Sequence, residues 1–247
     1  MSPIDRRVSR REALGVLGAA SVGAAIACGS SPSSPTTTSS SSTTTTTIGG
    51  SNTATCAITP EETAGPYPDR IGMIDNSTYF RRDITEGKSG LALTLAITVV
   101  NVRTNCAAVS GANVEIWQCD AAGNYSEYSQ PGFDGTGQTF LRGVQTTDGT
   151  GMVTLRTIYP GWYAGRATHI HVEIFMNGAA VKTTQIAFPE DVSAAVYRTG
   201  VYASHGQNST TNARDNVFSD GTDAEMATLT GDATAGYTAT LKIGISA

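Results

Sequence analysis

The segment Tyr159-Pro160-Gly161-Trp162-Tyr163-Ala164-Gly165-Arg166-Ala167-Thr168-His169-Ile170-His171 gathers two of the chain's three histidines, a tyrosine and an arginine at the edge of an apolar run. Alternate side chains of a strand point to the same side. His169 and His171 therefore share one face, and Thr168, Ile170, Val172 and Ile174 share the other. Two imidazoles on a stiff element make a chelate for a transition metal. Taken singly, each residue has a plainer reading. Tyr125 and Tyr163 read as half-buried loop tyrosines, the histidines as polar residues on the open face of a sheet, and Arg166 as a solvated charge. Trp117 reads as core, and His205, between polar neighbours, as exposed.

Strand patterns must position these groups. Leu91, Leu93, Leu95, Ile97 and Val99 alternate with smaller or polar residues, as do Tyr237, Ala239, Leu241, Ile243 and Ile245. Val114-Glu115-Ile116-Trp117, residues 152–158, 168–175 and 181–188 read as further strands. Turn signals separate them at Ser110-Gly111, Pro131-Gly132, Asp148-Gly149 and Asn177-Gly178. Thr59-Pro60-Glu61-Glu62 has the form of a capping box with proline at the first helical position, which predicts a short helix stopped by Gly65 and Pro66. Residues 191–197 and 223–229 read as single helical turns. The whole predicts an all-β chain, an antiparallel β-sandwich with long loops and a few short helical turns.

The front of the chain is different. Arg10-Arg11 precedes a short run of small and apolar residues, so 1–28 read as an export signal of twin-arginine type. Ala25-Ile26-Ala27-Cys28 is similar to a lipobox, and a lipidated Cys28 would tether the protein to a membrane. Residues 29–55 are mostly Ser, Thr, Pro and Gly, a flexible linker that cannot build a core. The folded domain is expected over 56–247. A net charge of −5 gives no basic footprint for nucleic acid. Three cysteines follow Cys28. The hairpin between Cys106 and Cys119 sets them too far apart for a bond, so Cys56–Cys106 is the favoured disulfide, with Cys119 free and buried. Three free thiols are the alternative.

Four segments in order carry a resemblance. They are Glu62-Thr63-Ala64-Gly65-Pro66-Tyr67, then Val114 through Asp120-Ala121-Ala122-Gly123-Asn124-Tyr125, then Thr157-Ile158-Tyr159-Pro160-Gly161-Trp162-Tyr163, then Arg166-Ala167-Thr168-His169-Ile170-His171. Together they resemble the intradiol ring-cleavage dioxygenases, non-haem iron enzymes. The resemblance implies Fe(3+) as cofactor and Tyr125, Tyr163, His169 and His171 as its ligands. Phenolate oxygen is a hard donor that suits ferric iron better than thiolate does. It further implies Arg166, Tyr163 and Gln185 as catalytic residues. Tyr163 would take a substrate proton, and Arg166 would stabilise negative charge on the ring. Pro66, Tyr67 and Trp162 would line the substrate pocket.

The expected partners are a small aromatic diol and O2, and the expected product a cis,cis-muconate formed outside the cytoplasm. No helical dimerisation segment is evident, so a monomer or small homo-oligomer is expected. A non-catalytic extracellular sandwich that binds sugar or protein is the first rival reading. It would give a colourless, metal-free protein. A hydrolase on a similar sandwich is the second, and it would consume no O2.

Overall fold

The computed structural model describes residues 56–247. The expected export signal, linker and lipidated Cys28 lie outside the described residues. Eleven strands and one short helix follow in order: β1 (Ala92–Asn101), β2 (Ala107–Ala108), β3 (Asn113–Trp117), β4 (Ser129–Gln130), β5 (Phe133–Asp134), β6 (Arg142–Thr146), β7 (Met152–Ile158), β8 (His169–Met176), β9 (Ala179–Ala187), α1 (Glu190–Val196), β10 (Thr228–Asp232) and β11 (Gly236–Ile245). Among the described residues no helix is long and apolar enough to cross a membrane.

The strands form a sandwich. One sheet runs β10-β11-β1-β2, with β7 also paired to β1; the other runs β6-β3-β8-β9. β4 and β5 make a small separate hairpin. Pairing is antiparallel except between β1 and β11, which run parallel from Leu93 opposite Tyr237 to Asn101 opposite Ile245. The first sheet is therefore mixed. The core lies where the alternation put it: Leu93, Leu95, Ile97 and Val99 meet Val114, Ile116, Ile170, Val172 and Ile174 across the interface, all fully buried. Each such side chain contributes about 1.5–3 kcal/mol on burial. Asn177 and Gly178, both at positive φ, make the tight turn between β8 and β9.

Two expectations fail. No helix forms at 59–65. The segment is extended, because its polar groups find distant partners instead. Thr59 N–H donates to the Gly244 carbonyl (3.0 Å) and Glu62 N–H to the Thr183 carbonyl (2.8 Å). Thr59 Oγ1 accepts from Gly244 N–H, and Glu61 accepts from Thr183 N–H. The result is a strap laid along β9 and the end of β11. Nor are 223–229 a helical turn throughout. A turn closes on the Thr222 carbonyl, and the chain then enters β10. The expected turn at 191–197 is α1. Cys56 and Cys106 are disulfide-bonded, which ties the strap's start to the loop after β1. Cys119 is free and buried.

Candidate metal centre

β8 has two working faces. Ile170, Val172 and Ile174 enter the core, while His169 and His171 project from the outer face. That face is not open, as the plainer reading held: His169 is 2% exposed and His171 0%. The strap covers it. Gly65, at φ +70°, lies so close that a Cβ there would stand 2.8 Å from His171 Cε1. Below the histidine, Trp117 on β3 stacks on the His171 ring at 4.7 Å, nearly parallel. Strand register sets Arg142, Trp117, His171 and Gln185 side by side across all four strands. Trp117 thus belongs to a small cluster with Cys119 and Tyr125, apart from the main core.

The two tyrosines arrive on loops. Asp120 folds the first one, its carboxylate accepting from the N–H groups of Ala122 and Asn124, both at 3.0 Å. The loop then packs backbone to backbone on the second. A Cβ on Gly123 would meet the Trp162 carbonyl at 2.3 Å. Tyr125 follows directly and is fully buried; Tyr163, on the second loop, is half-buried. Their rings meet edge-on at 5.8 Å.

The four expected donors converge. His169 Nε2 lies 3.1 Å from His171 Nε2 and 3.5 Å from Tyr125 Oη. Tyr163 Oη and His169 Nε2 are each 3.4 Å from Arg166 Nη1. His169 Nδ1 donates to the Ala167 carbonyl (2.7 Å), a network assignment that leaves Nε2 with a lone pair. His171 Nδ1 is buried with no partner in hydrogen-bond geometry, although the Thr63 carbonyl is near enough to favour a proton there. Two nitrogens each about 2.1 Å from one ion and about 90° apart are separated by about 3 Å, so the pair fits a shared metal.

The electrostatics agree with that fit. Burial, then the Arg166 charge, holds the His169 imidazole down at about 3. Burial, then His169 and Arg166, holds His171 well below its usual value, and the Thr63 carbonyl opposes this only weakly. Burial pushes Tyr125 well above the usual phenol range and Tyr163 up to about 12, with Arg166 opposing the latter. The protein alone thus presents two neutral imidazoles and two neutral phenols, which a strongly acidic cation can ionise. Among the described residues no three His, Cys, Asp or Glu side chains gather for a metal; this donor set depends on its phenols.

The other expected residues fall around this group. Arg166 points Nη1 into it, as above. Gln185 is fully buried opposite His171, accepts from Arg166 Nη2 (2.5 Å) and donates to the Thr63 carbonyl (2.7 Å). Tyr67 stacks on Tyr125 at 4.6 Å and meets Tyr163 edge-on at 5.7 Å. Pro66 precedes it and is exposed. Trp162 is half-buried and donates to the Gly206 carbonyl (3.0 Å). His205 is not simply exposed: it is half-buried, lies against the Trp162 ring and contacts the Trp162 carbonyl at 2.8 Å. Sequence reasoning missed Asp215, a buried carboxylate paired with Arg166 at 2.8 Å. It stands alone in a polar loop without periodicity, and no motif marks it.

Comparison with known proteins agrees with the geometry. Residues 64–197, more than half of the chain, match a family model described as Dioxygenase. Among solved structures, an intradiol ring-cleavage dioxygenase from Tetranychus urticae is 28% identical, with TM-score 0.69 over 77% of this chain and 95% of that one. The dioxygenase domain of a dioxygenase–carbohydrate-binding protein fusion from Streptomyces sp. SirexAA-E is 28% identical, with TM-score 0.55 over 77% and 99%. A 3-chlorocatechol 1,2-dioxygenase from Rhodococcus opacus 1CP, 22% identical with TM-score 0.51 over 76% and 72%, shares the fold. A search of curated proteins gave no match. With the family model spanning most of the sandwich and its loops, the chain belongs to the intradiol ring-cleavage dioxygenases.

Proposed function

We propose that the chain holds ferric iron through Tyr125, Tyr163, His169 and His171 and cleaves catechol-type rings between the two hydroxylated carbons, giving cis,cis-muconates. The observation that carries this reading is the convergence of two buried neutral imidazoles and two phenols on one spot. Bound there, ferric iron would supply the Lewis acid that holds a deprotonated diol for reaction with O2.

The chain's own residues do the rest. Tyr163 Oη is the proton acceptor for one diol hydroxyl. Its high intrinsic pKa makes it a strong base once ionised. Arg166 Nη1, 3.4 Å from both Tyr163 Oη and His169 Nε2, places a fixed positive charge where the diolate gathers negative charge. Gln185 holds Arg166 Nη2. Tyr67 packs on both candidate phenols and shields that side of the centre from water.

The proposed setting is outside the cytoplasm. The Cys56–Cys106 disulfide and the signal-like sequence at 1–28 support it, since disulfides persist in oxidising compartments. The proposed partners are a small aromatic diol and O2. A visible spectrum with iron analysis tests the reading, before and after anaerobic addition of catechol, followed by O2 uptake. A wine-red protein with about one iron per chain, a band shift on catechol and O2 consumption are expected. A colourless protein that takes up no iron and no O2 refutes it.

A further inference from the structure

Arg166 would do its work through one nitrogen, and the structure shows what leaves that nitrogen free. Its Nε–H is gripped by both oxygens of Asp215, at 3.0 and 2.8 Å. Its Nη2 is taken by Gln185. With Nε and Nη2 committed, the guanidinium plane is fixed, and Nη1 is the corner left facing Tyr163 Oη and His169 Nε2.

Asp215 is itself locked. Its side chain is fully buried. It caps the 3-10 turn Asn212–Arg214, and its Oδ2 accepts from Ala167 N–H at 2.7 Å while Oδ1 accepts from Val217 N–H at 2.9 Å. Every group that faces the carboxylate is a donor: Arg166 Nε–H, Ala167 N–H and Val217 N–H. Only a carboxylate satisfies them all, because an amide would turn its NH2 toward at least one of them. Phe218 lies under the guanidinium at 5.9 Å and closes the far side. The loop that carries Asp215 also ties down the Arg166 backbone, since Asn208 Nδ2 donates to the Arg166 carbonyl (2.9 Å).

We propose that Asp215 is a positioning residue for ring cleavage, fixing the Arg166 guanidinium so that Nη1 faces the metal centre. This rests on the proposed ferric chemistry for its catalytic consequence, and on the Arg166–Asp215 contact alone for its geometry.

The test uses Asp215→Asn, which keeps side-chain volume, and Asp215→Glu, which keeps the carboxylate. In the iron-loaded full chain, Asp215→Asn should retain iron and lower kcat on catechol about 10–100-fold, with KM changed less than about threefold. Asp215→Glu should recover part of that loss. In the metal-free protein, 15N NMR should show the Arg166 Nε–H protected from exchange, and Asp215→Asn should speed that exchange at least about tenfold. The proposal is overturned if Asp215→Asn keeps kcat within about twofold or leaves Nε–H exchange unchanged. It is equally overturned if kcat falls only in proportion to lost iron. A wild-type chain that binds iron yet cleaves no catechol would sink the functional reading instead, and the exchange measurement would then judge the Arg166–Asp215 lock by itself.

Discussion

Removing one imidazole tests the donor set directly. His169→Ala should lose most of the bound iron and the colour, measured by metal analysis, since one of four donors disappears. The same variant has a second signature in the metal-free protein. His169 has a folded value of about 3, below its usual 6.5. Its contribution to stability is therefore complete above about 6.5 and is lost as pH falls toward 3, by up to about 1.4 kcal/mol per pH unit. His169→Ala should flatten the acid limb of a denaturation profile over that window. Gly65 is the tightest neighbour on the other side. Gly65→Ala must hold φ +70° and place a Cβ 2.8 Å from His171 Cε1. A loss of about 1–2 kcal/mol from the backbone term alone, with weaker iron retention, should appear in chemical denaturation and iron titration.

Strands explain why some of this was legible. β8 announced itself because its two faces differ so sharply, Ile and Val against His, and β1 and β11 because their alternation runs unbroken. β6 and β10 gave no such signal. Arg142-Gly143-Val144-Gln145-Thr146 has one large apolar residue, and Gly143 is there because a Cβ would strike Ile84 at 2.5 Å. Thr228–Asp232 is an exposed edge strand with little to bury. The capping-box reading of Thr59–Glu62 failed because the residues that cap a helix also bond well to a distant strand, and Gly244 and Thr183 competed successfully. Spacing alone marked only the His169–His171 pair, and the two tyrosines were named only through the segments that resemble the family; Asp215 and the Trp117 stack depend on which loops and strands meet. β3 offers a check of its own. Glu115 is buried opposite Glu173, and burial, then Asp69 and Glu173, pushes it from 4.5 up to about 8. Its stabilising, protonated form is complete below about 4.5 and lost as pH rises through 8. Glu115→Gln should therefore be more stable than the parent at neutral pH, by an increment that grows between those values by up to about 1.4 kcal/mol per unit.

Among the described residues one covalent tie anchors the strap that covers the candidate centre. Cys56 and Cys106 are 50 residues apart in sequence, and cross-linking a loop of that size stabilises a fold by about 4 kcal/mol on the chain-entropy account. The strap that begins at Cys56 is held by Lys182 of β9, whose Nζ donates to the Thr59 carbonyl (2.9 Å) and pairs with Glu61 (2.8 Å), and by Gln185 on the Thr63 carbonyl, and it ends with Gly65 against His171. Replacing both cysteines by serine should lower the thermal midpoint and speed iron release to a chelator.

The Trp117–His171 stack carries a practical consequence. The chain has two tryptophans; one lies flat against a candidate ligand, and the other, Trp162, tilts over His205. Ultraviolet-excited emission is therefore a native gauge of occupancy. Loading with iron should dim it, and Trp117→Phe should reduce that dimming, so metal arrival can be timed in a stopped-flow cell without any added dye.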